Sequence, residues 1–216
     1  MLDRLTLPLV GVLAVVLLVW YLAGNELMRR RGSRLAVWCK RAADNMGGKQ
    51  AIKWFTLHSF RLEIEQVTTP IIRSAVLTGL VESWDVPVIW LWNRMNWRRD
   101  MVLAQLVLAT QPMAGLELYR PGAILAGDAQ HAARQEGWEE EPLDEFRIAP
   151  ATERSQKLAR QLLTDLEAQR PHLIRLSVRR RDTHLSLALN VPEPAAFRPE
   201  AFYELLSRLA STVDHA

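Results

Sequence analysis

The chain has 216 residues, with 27 Lys and Arg against 24 Asp and Glu, a formal net charge of +3, and one cysteine. A single cysteine excludes an intramolecular disulfide and a cysteine metal cluster. The small basic excess sits mostly beside one apolar run and argues against nucleic-acid binding. Hydrophobic residues at 49% and charged residues at 24% exclude wholesale disorder and leave room for one ordinary domain or two small lobes sharing a core.

From Leu5 to Gly24 no residue is charged. At about 1.5 Å per residue, a helix of that length crosses a hydrocarbon layer of about 30 Å. Pro8 lies near its start, where a helix tolerates proline. Trp20 and Tyr21 lie near its far end, where amphipathic rings suit headgroup depth. A cleaved signal peptide would have a shorter apolar core, a basic front and a small-residue cleavage site. Here the front is Asp3 and Arg4, and the run is followed by Arg29, Arg30, Arg31 and Arg34 with no acid between Met28 and Arg41. Basic residues stay on the cytoplasmic side. The expectation is therefore an uncleaved anchor over 1–27 in a bacterial inner membrane, its N-terminus outside and the rest of the chain in the cytoplasm. The same arginines can attract anionic lipid headgroups. A helix buried in a protein core is the alternative.

A basic juxtamembrane helix over 28–50 follows. In "SRLAVWCKRAADNM" the residues Leu35, Trp38, Cys39 and Ala42 fall at helical spacing, and Asn45, Gly47 and Gly48 end the element. Cys39 on the apolar face reads as a packed thiol. Next, 51–122 reads as a β meander lobe. In 54–66, Phe60, Leu62 and Ile64 alternate with Arg61, Glu63 and Glu65, as on a strand, although the spacing also permits a short helix. "IIRSAVLTGLVES" (71–83), "VPVIWLWNRM" (86–95) and "MVLAQLVLAT" (101–110) are predicted to be three antiparallel strands joined by polar turns. The middle one is apolar on both faces, so a partner could cover one side. A short strand, Leu116–Tyr119, ends at Pro121 and Gly122.

Residues 123–216 read as a β-α-β-β-α lobe, after a short helix and a solvated loop at Glu139–Glu141. The lobe comprises a strand at 144–150, a helix over 152–171 capped by Thr152 and stopped by Pro171, a hairpin of 173–178 with 184–191, and a closing helix over 197–213. Phe202, Leu205, Leu206 and Leu209 of that last helix face inward. The fold class expected is α+β, a single transmembrane helix followed by these two lobes.

The pieces "VLTGLVESWDVPVIWLWNR", "MAGLELYRPG", "LDEFRIAP", "KLARQLLT" and "FRPEAFYELLSRLAS" together resemble a broad group of bacterial membrane-anchored domains of unknown function. The likeness covers most of 70–212, and Leu143 stands where that group has phenylalanine. It implies a fold and a location; it carries no catalytic residues.

The five histidines show no metal-ligand spacing, and the chain has no phosphate-binding glycine loop and no nucleophile elbow. Catalytic, cofactor and metal residues are accordingly none. Arg98 and Arg99 beside Trp97, and Arg179, Arg180 and Arg181 on the hairpin, are the exposed-charge features; with Trp90 and Trp92 they are the candidate partner interface. The function expected is a non-enzymatic accessory or scaffold subunit that docks on a larger integral membrane complex, a respiratory or photosynthetic one being a natural host. The alternative is a membrane-tethered sensor with a ligand pocket between the lobes.

Overall fold

The helical spacing that begins in the apolar run continues past the arginines, and the chain folds there as one helix, α1 (Asp3–Asp44). The computed structural model describes residues 3–84, 86–95, 99–181, 183–191 and 197–215. Gly47 and Gly48 end the helix with φ of +68° and +84°. A Cβ on Gly48 would stand 2.3 Å from the Glu65 carbonyl oxygen, so the turn requires glycine.

The turn feeds β1 (Lys49–Thr56), which pairs in a hairpin with β2 (Ser59–Glu65). The alternation read over 60–65 is that of β2, with Phe60, Leu62 and Ile64 buried. Its partner β1 shows no alternation because nearly all of it is exposed. β3 (Ile72–Leu80) follows.

The expected middle strand over 86–95 is instead a helix, α2 (Pro87–Met95), and β3 pairs directly with β4 (Met101–Leu108). Three physical reasons favour the helix. Pro87 fits a first helical turn and cannot donate to a ladder. A uniformly apolar run satisfies periods of 2 and 3.6 alike. Finally, β3 already has β2 and β4 as neighbours, and β4 has β3 and β9, so no edge is left between them.

Then come β5 (Leu116–Tyr119), α3 (Ala126–Gln135), β6 (Glu141–Leu143), β7 (Phe146–Pro150) and α4 (Glu153–Asp165). Thr152 caps α4, its side chain accepting from the Ser155 N–H. The helix expected to reach Pro171 stops at Asp165, and Glu167–His172 is a 3-10 segment that contains that proline. β8 (Leu173–Val178), β9 (Leu185–Asn190) and α5 (Pro199–Asp214) complete the chain as the pattern anticipated.

The nine described strands make one antiparallel sheet in the order β1-β2-β3-β4-β9-β8-β5-β7-β6. β4 pairs with β9, and β5 lies between β8 and β7, so the segments 51–122 and 123–216 share a sheet and a core. The second half of α1, then α5, then α4 lie side by side on one face. Trp38 of α1 packs on Phe197 and Phe202, with centroids 5.8 and 4.9 Å apart, and its Nε1 donates to the Phe197 carbonyl at 2.8 Å. On the opposite face α3 covers β5 and β8. Opposite Phe60 in the register stands Gly79, whose missing Cβ would lie 2.3 Å from the Phe60 ring. The ring thus lies over bare backbone.

Candidate membrane-contact site

From Leu9 to Val19 every valine and leucine of α1 is between 47% and 71% exposed, on all sides of the helix. That half is long and apolar enough to cross a membrane, with mean hydropathy 2.0 over its apolar window, of which only 6% is buried. From Met28 onward the same helix has two faces. Met28, Leu35, Trp38, Cys39, Ala42 and Ala43 are buried, while Arg29, Arg30, Arg34, Lys40 and Arg41 are exposed. The change from apolar all round to a single apolar stripe is a change of surroundings. Cys39 lies on the buried stripe, and burial pushes its thiol up, away from the reactive thiolate.

Two groups of side chains tie the domain to the helix where its two halves meet. The first is aromatic. Trp20 Nε1 donates to the Trp84 carbonyl at 3.0 Å, and the Trp84 N–H donates to Met28 Sδ at 3.3 Å. The Trp90 ring of α2 stands 5.5 Å from Trp20 and 5.2 Å from Trp84. The second is ionic. Arg31 Nε lies 3.2 Å from Asp100 Oδ2, its Nη1 3.8 Å from Glu82 Oε2, and its guanidinium 5.8 Å from the Trp84 ring centroid. Asp100 Oδ1 also accepts from the Glu82 N–H at 2.9 Å, joining the end of β3 to the start of β4. Arg31 therefore spans helix and sheet. Arg29 and Arg30 pair with Glu26, three and four residues earlier on the same helix, partly exposed contacts of little energetic weight.

A second charged cluster lies within the sheet. Glu117 of β5 is fully buried and accepts from Arg175 Nε at 3.0 Å, from Arg179 Nε at 2.8 Å and Nη2, and from Ser177 Oγ. Ser177 is its direct cross-strand neighbour on β8. Two guanidiniums and a hydroxyl fill the lone pairs of this carboxylate. Such a group holds strands together and is not placed to act as a base or nucleophile.

The chain matches no known family model and no curated protein.

The residues singled out from the sequence thus divide into groups. Trp20, Arg31 and Trp90 converge at the junction, and Tyr21, Arg29, Arg30 and Arg34 are exposed on α1. Arg99 is exposed two residues before β4 begins. Trp97 and Arg98 lie outside the described residues, as does the side chain of Trp92. Arg179 turns inward to Glu117, and Arg180 donates to the Met113 carbonyl. Arg181 is exposed. Met101 pairs with Asn190, whereas Leu106 pairs with Leu185, next to the arginine hairpin. Arg99 and Arg179–Arg181 consequently stand at opposite ends of the sheet and do not form one surface.

Sequence reasoning passed over Glu82, Trp84, Asp100 and Glu117. A usable signal existed for the last. Glu117 is a lone acid in the strand "LELY", and Arg175, Ser177 and Arg179 alternate along one face of "LIRLSVRR". Among the described residues no three His, Cys, Asp or Glu side chains cluster as metal ligands would. A cavity of about 240 Å³ lies between α1, α5, β4 and β9, lined by Trp38, Val102, His172, Asn190 and Phe202 among others.

Proposed function

We propose that this protein is a single-pass, membrane-anchored, non-enzymatic accessory subunit that docks on a larger integral membrane complex and braces it. The observation that carries this reading is the continuity of α1: one helix supplies both the bare apolar segment and a wall of the domain core. No linker separates them, so the sheet is mounted stiffly on the span. A domain that searches for distant partners needs a flexible tether; a brace needs a rigid one. Cleavage after the apolar run would strip Trp84 and Trp90 of the Trp20 ring, which supports a retained anchor.

In this reading the N-terminus lies outside, because Arg29, Arg30, Arg31 and Arg34 follow the span and stay on the cytoplasmic side. The resemblance to bacterial anchored domains supports a bacterial inner membrane, and a respiratory or photosynthetic assembly is a natural host. Exposed Arg29, Arg30 and Arg34 suit anionic headgroups. Purification of the intact chain from membranes in mild detergent tests the proposal. Integral membrane subunits are expected to co-purify in fixed proportion; migration as a free monomer would refute it.

The cavity beside Trp38 favours a second reading, a tethered ligand sensor. It has an apolar wall and a few polar groups, but its volume falls below the roughly 300–1,000 Å³ of usual ligand sites. Native mass spectrometry separates the two: a retained small molecule would support the sensor, and an unliganded chain with co-purifying subunits the brace.

A further inference from the structure

We infer that α2 is an interfacial helix that lies in the membrane beside α1, its outer face embedded in lipid. The inference rests on the anchor reading proposed above and adds a second, separate lipid contact to it.

The argument begins with exposure. Val88, Leu91 and Met95 are 76%, 53% and 69% exposed, and their spacing puts them on one stripe of α2. Trp90, half-buried, points the other way onto Trp20 and Trp84. Within Pro87–Met95 the sequence contains no acid and no lysine, and its only charged residue is Arg94. In water such a stripe would be an association hazard.

Depth then identifies the occupant. Trp20 lies four residues before Gly24, which with polar Asn25 closes the apolar run, a helical rise of about 6 Å. The Trp90 ring is packed against Trp20, so with the run in the hydrocarbon this contact lies about 6 Å inside its inner edge. Interfacial amphipathic helices bury their apolar faces about 5–10 Å at this boundary. With Trp90 seated on Trp20, the bare face of α2 stands beside the inner end of the bare half of α1, at the depth of the same layer.

The β1–β2 hairpin provides an internal contrast. Leu57 at its tip is also about half exposed, but its carbonyl is level with Gly32, where an added Cβ would meet it at 3.2 Å. Gly32 lies eight residues beyond Gly24, about 12 Å along the helix, past a headgroup layer of about 5–8 Å. Leu57 should therefore remain in water although it is as apolar as Leu91.

The test uses the full chain in vesicles of phosphatidylcholine and phosphatidylglycerol. Nitroxide labels are placed singly at V15C, V88C, L91C, M95C and L57C, with the parent chain, whose buried Cys39 sets the background. Collision with oxygen, which concentrates in lipid, is compared with collision with a water-soluble nickel chelate. The expected result is a several-fold higher oxygen-to-nickel ratio at positions 15, 88, 91 and 95 than at 57. Nickel access at the α2 positions with Val15 still in lipid would overturn this inference and leave the anchor intact. Nickel access at Val15 as well would overturn both. Shielding of the α2 positions from both reagents would mean that protein covers the stripe, and would overturn the inference too.

Discussion

The two halves of α1 are one helix with two kinds of surface. Between Pro8 and Val19 the side chains are apolar in every direction and the helix stands bare; between Met28 and Ala43 a single stripe is apolar, and that stripe is in the core. Neither half alone is informative, because a buried core helix and a signal sequence both contain apolar runs. The transition between them is what teaches. It occurs within a few residues, at Arg29–Arg31, with no break in the backbone, and Trp84, Trp90 and Asp100 are gathered around it. The apolar segment and the domain are therefore joined by one unbroken helix.

The comparison can be broken most forcefully in the core half. Trp38→Ala removes ring contacts with Phe197 and Phe202 and a buried hydrogen bond, and should cost about 3–5 kcal/mol. Chemical denaturation in detergent would measure it, with Val16→Ala in the bare half leaving the midpoint unchanged.

Leu17→Arg should do the reverse, raising the cost of insertion by about 3 kcal/mol at the centre of the span while the domain keeps its unfolding midpoint. Carbonate extraction of membranes, read beside the melt, would reveal both effects.

Glu117→Gln disturbs a charge with no link to the anchor. Arg175 and Arg179 keep some access to solvent, so the loss should be near the lower end for broken buried pairs, about 2–3 kcal/mol, without any change in membrane association.

Arg31→Ala at the junction removes a partly exposed pairing and should lower stability by only about 1 kcal/mol. Its sharper signature would be increased hydrogen exchange at the ends of β3 and β4, because Asp100 and Glu82 lose their shared partner.

The smallest effect is spectroscopic. Burial, with a hydrogen bond to Glu140, raises the Tyr119 phenol above its ordinary range. A phenol raised in the folded state contributes stability that is complete below about pH 10 and lost as pH rises through the folded value. Glu140→Gln should move its ultraviolet titration midpoint back toward ordinary tyrosine and leave the anchor half unaffected.

Much of the fold was legible in local pattern. Gly47 and Gly48 marked the end of α1, Thr152 the start of α4, and the alternation in "LIRLSV" and "HLSLALNV" the β8–β9 hairpin. α2 was not legible as a helix. "PVIWLWNRM" is apolar at nearly every position, so no period stands out, and nine residues are too few for length to decide. β1 was hidden for the opposite reason: an edge strand exposed on both faces carries no alternation. Of the candidate site, Trp20 and Arg31 were named from the sequence. Their partners Trp84 and Asp100 were not, because they lie 64 and 69 positions further along the chain.

The order of residues by itself determined where the chain is apolar on all sides, where it becomes two-faced, and where glycine, proline and capping residues punctuate it. These are short-range properties, set by side-chain chemistry and backbone sterics. The placing of β5 between β8 and β7, the pairing of β4 with β9, the closure of Arg175 and Arg179 around Glu117, and the seat of α2 at the level of Trp20 were decided only by the tertiary structure. Each depends on which distant strands can satisfy one another's hydrogen bonds and bury one another's faces, and that competition is settled across the whole chain at once.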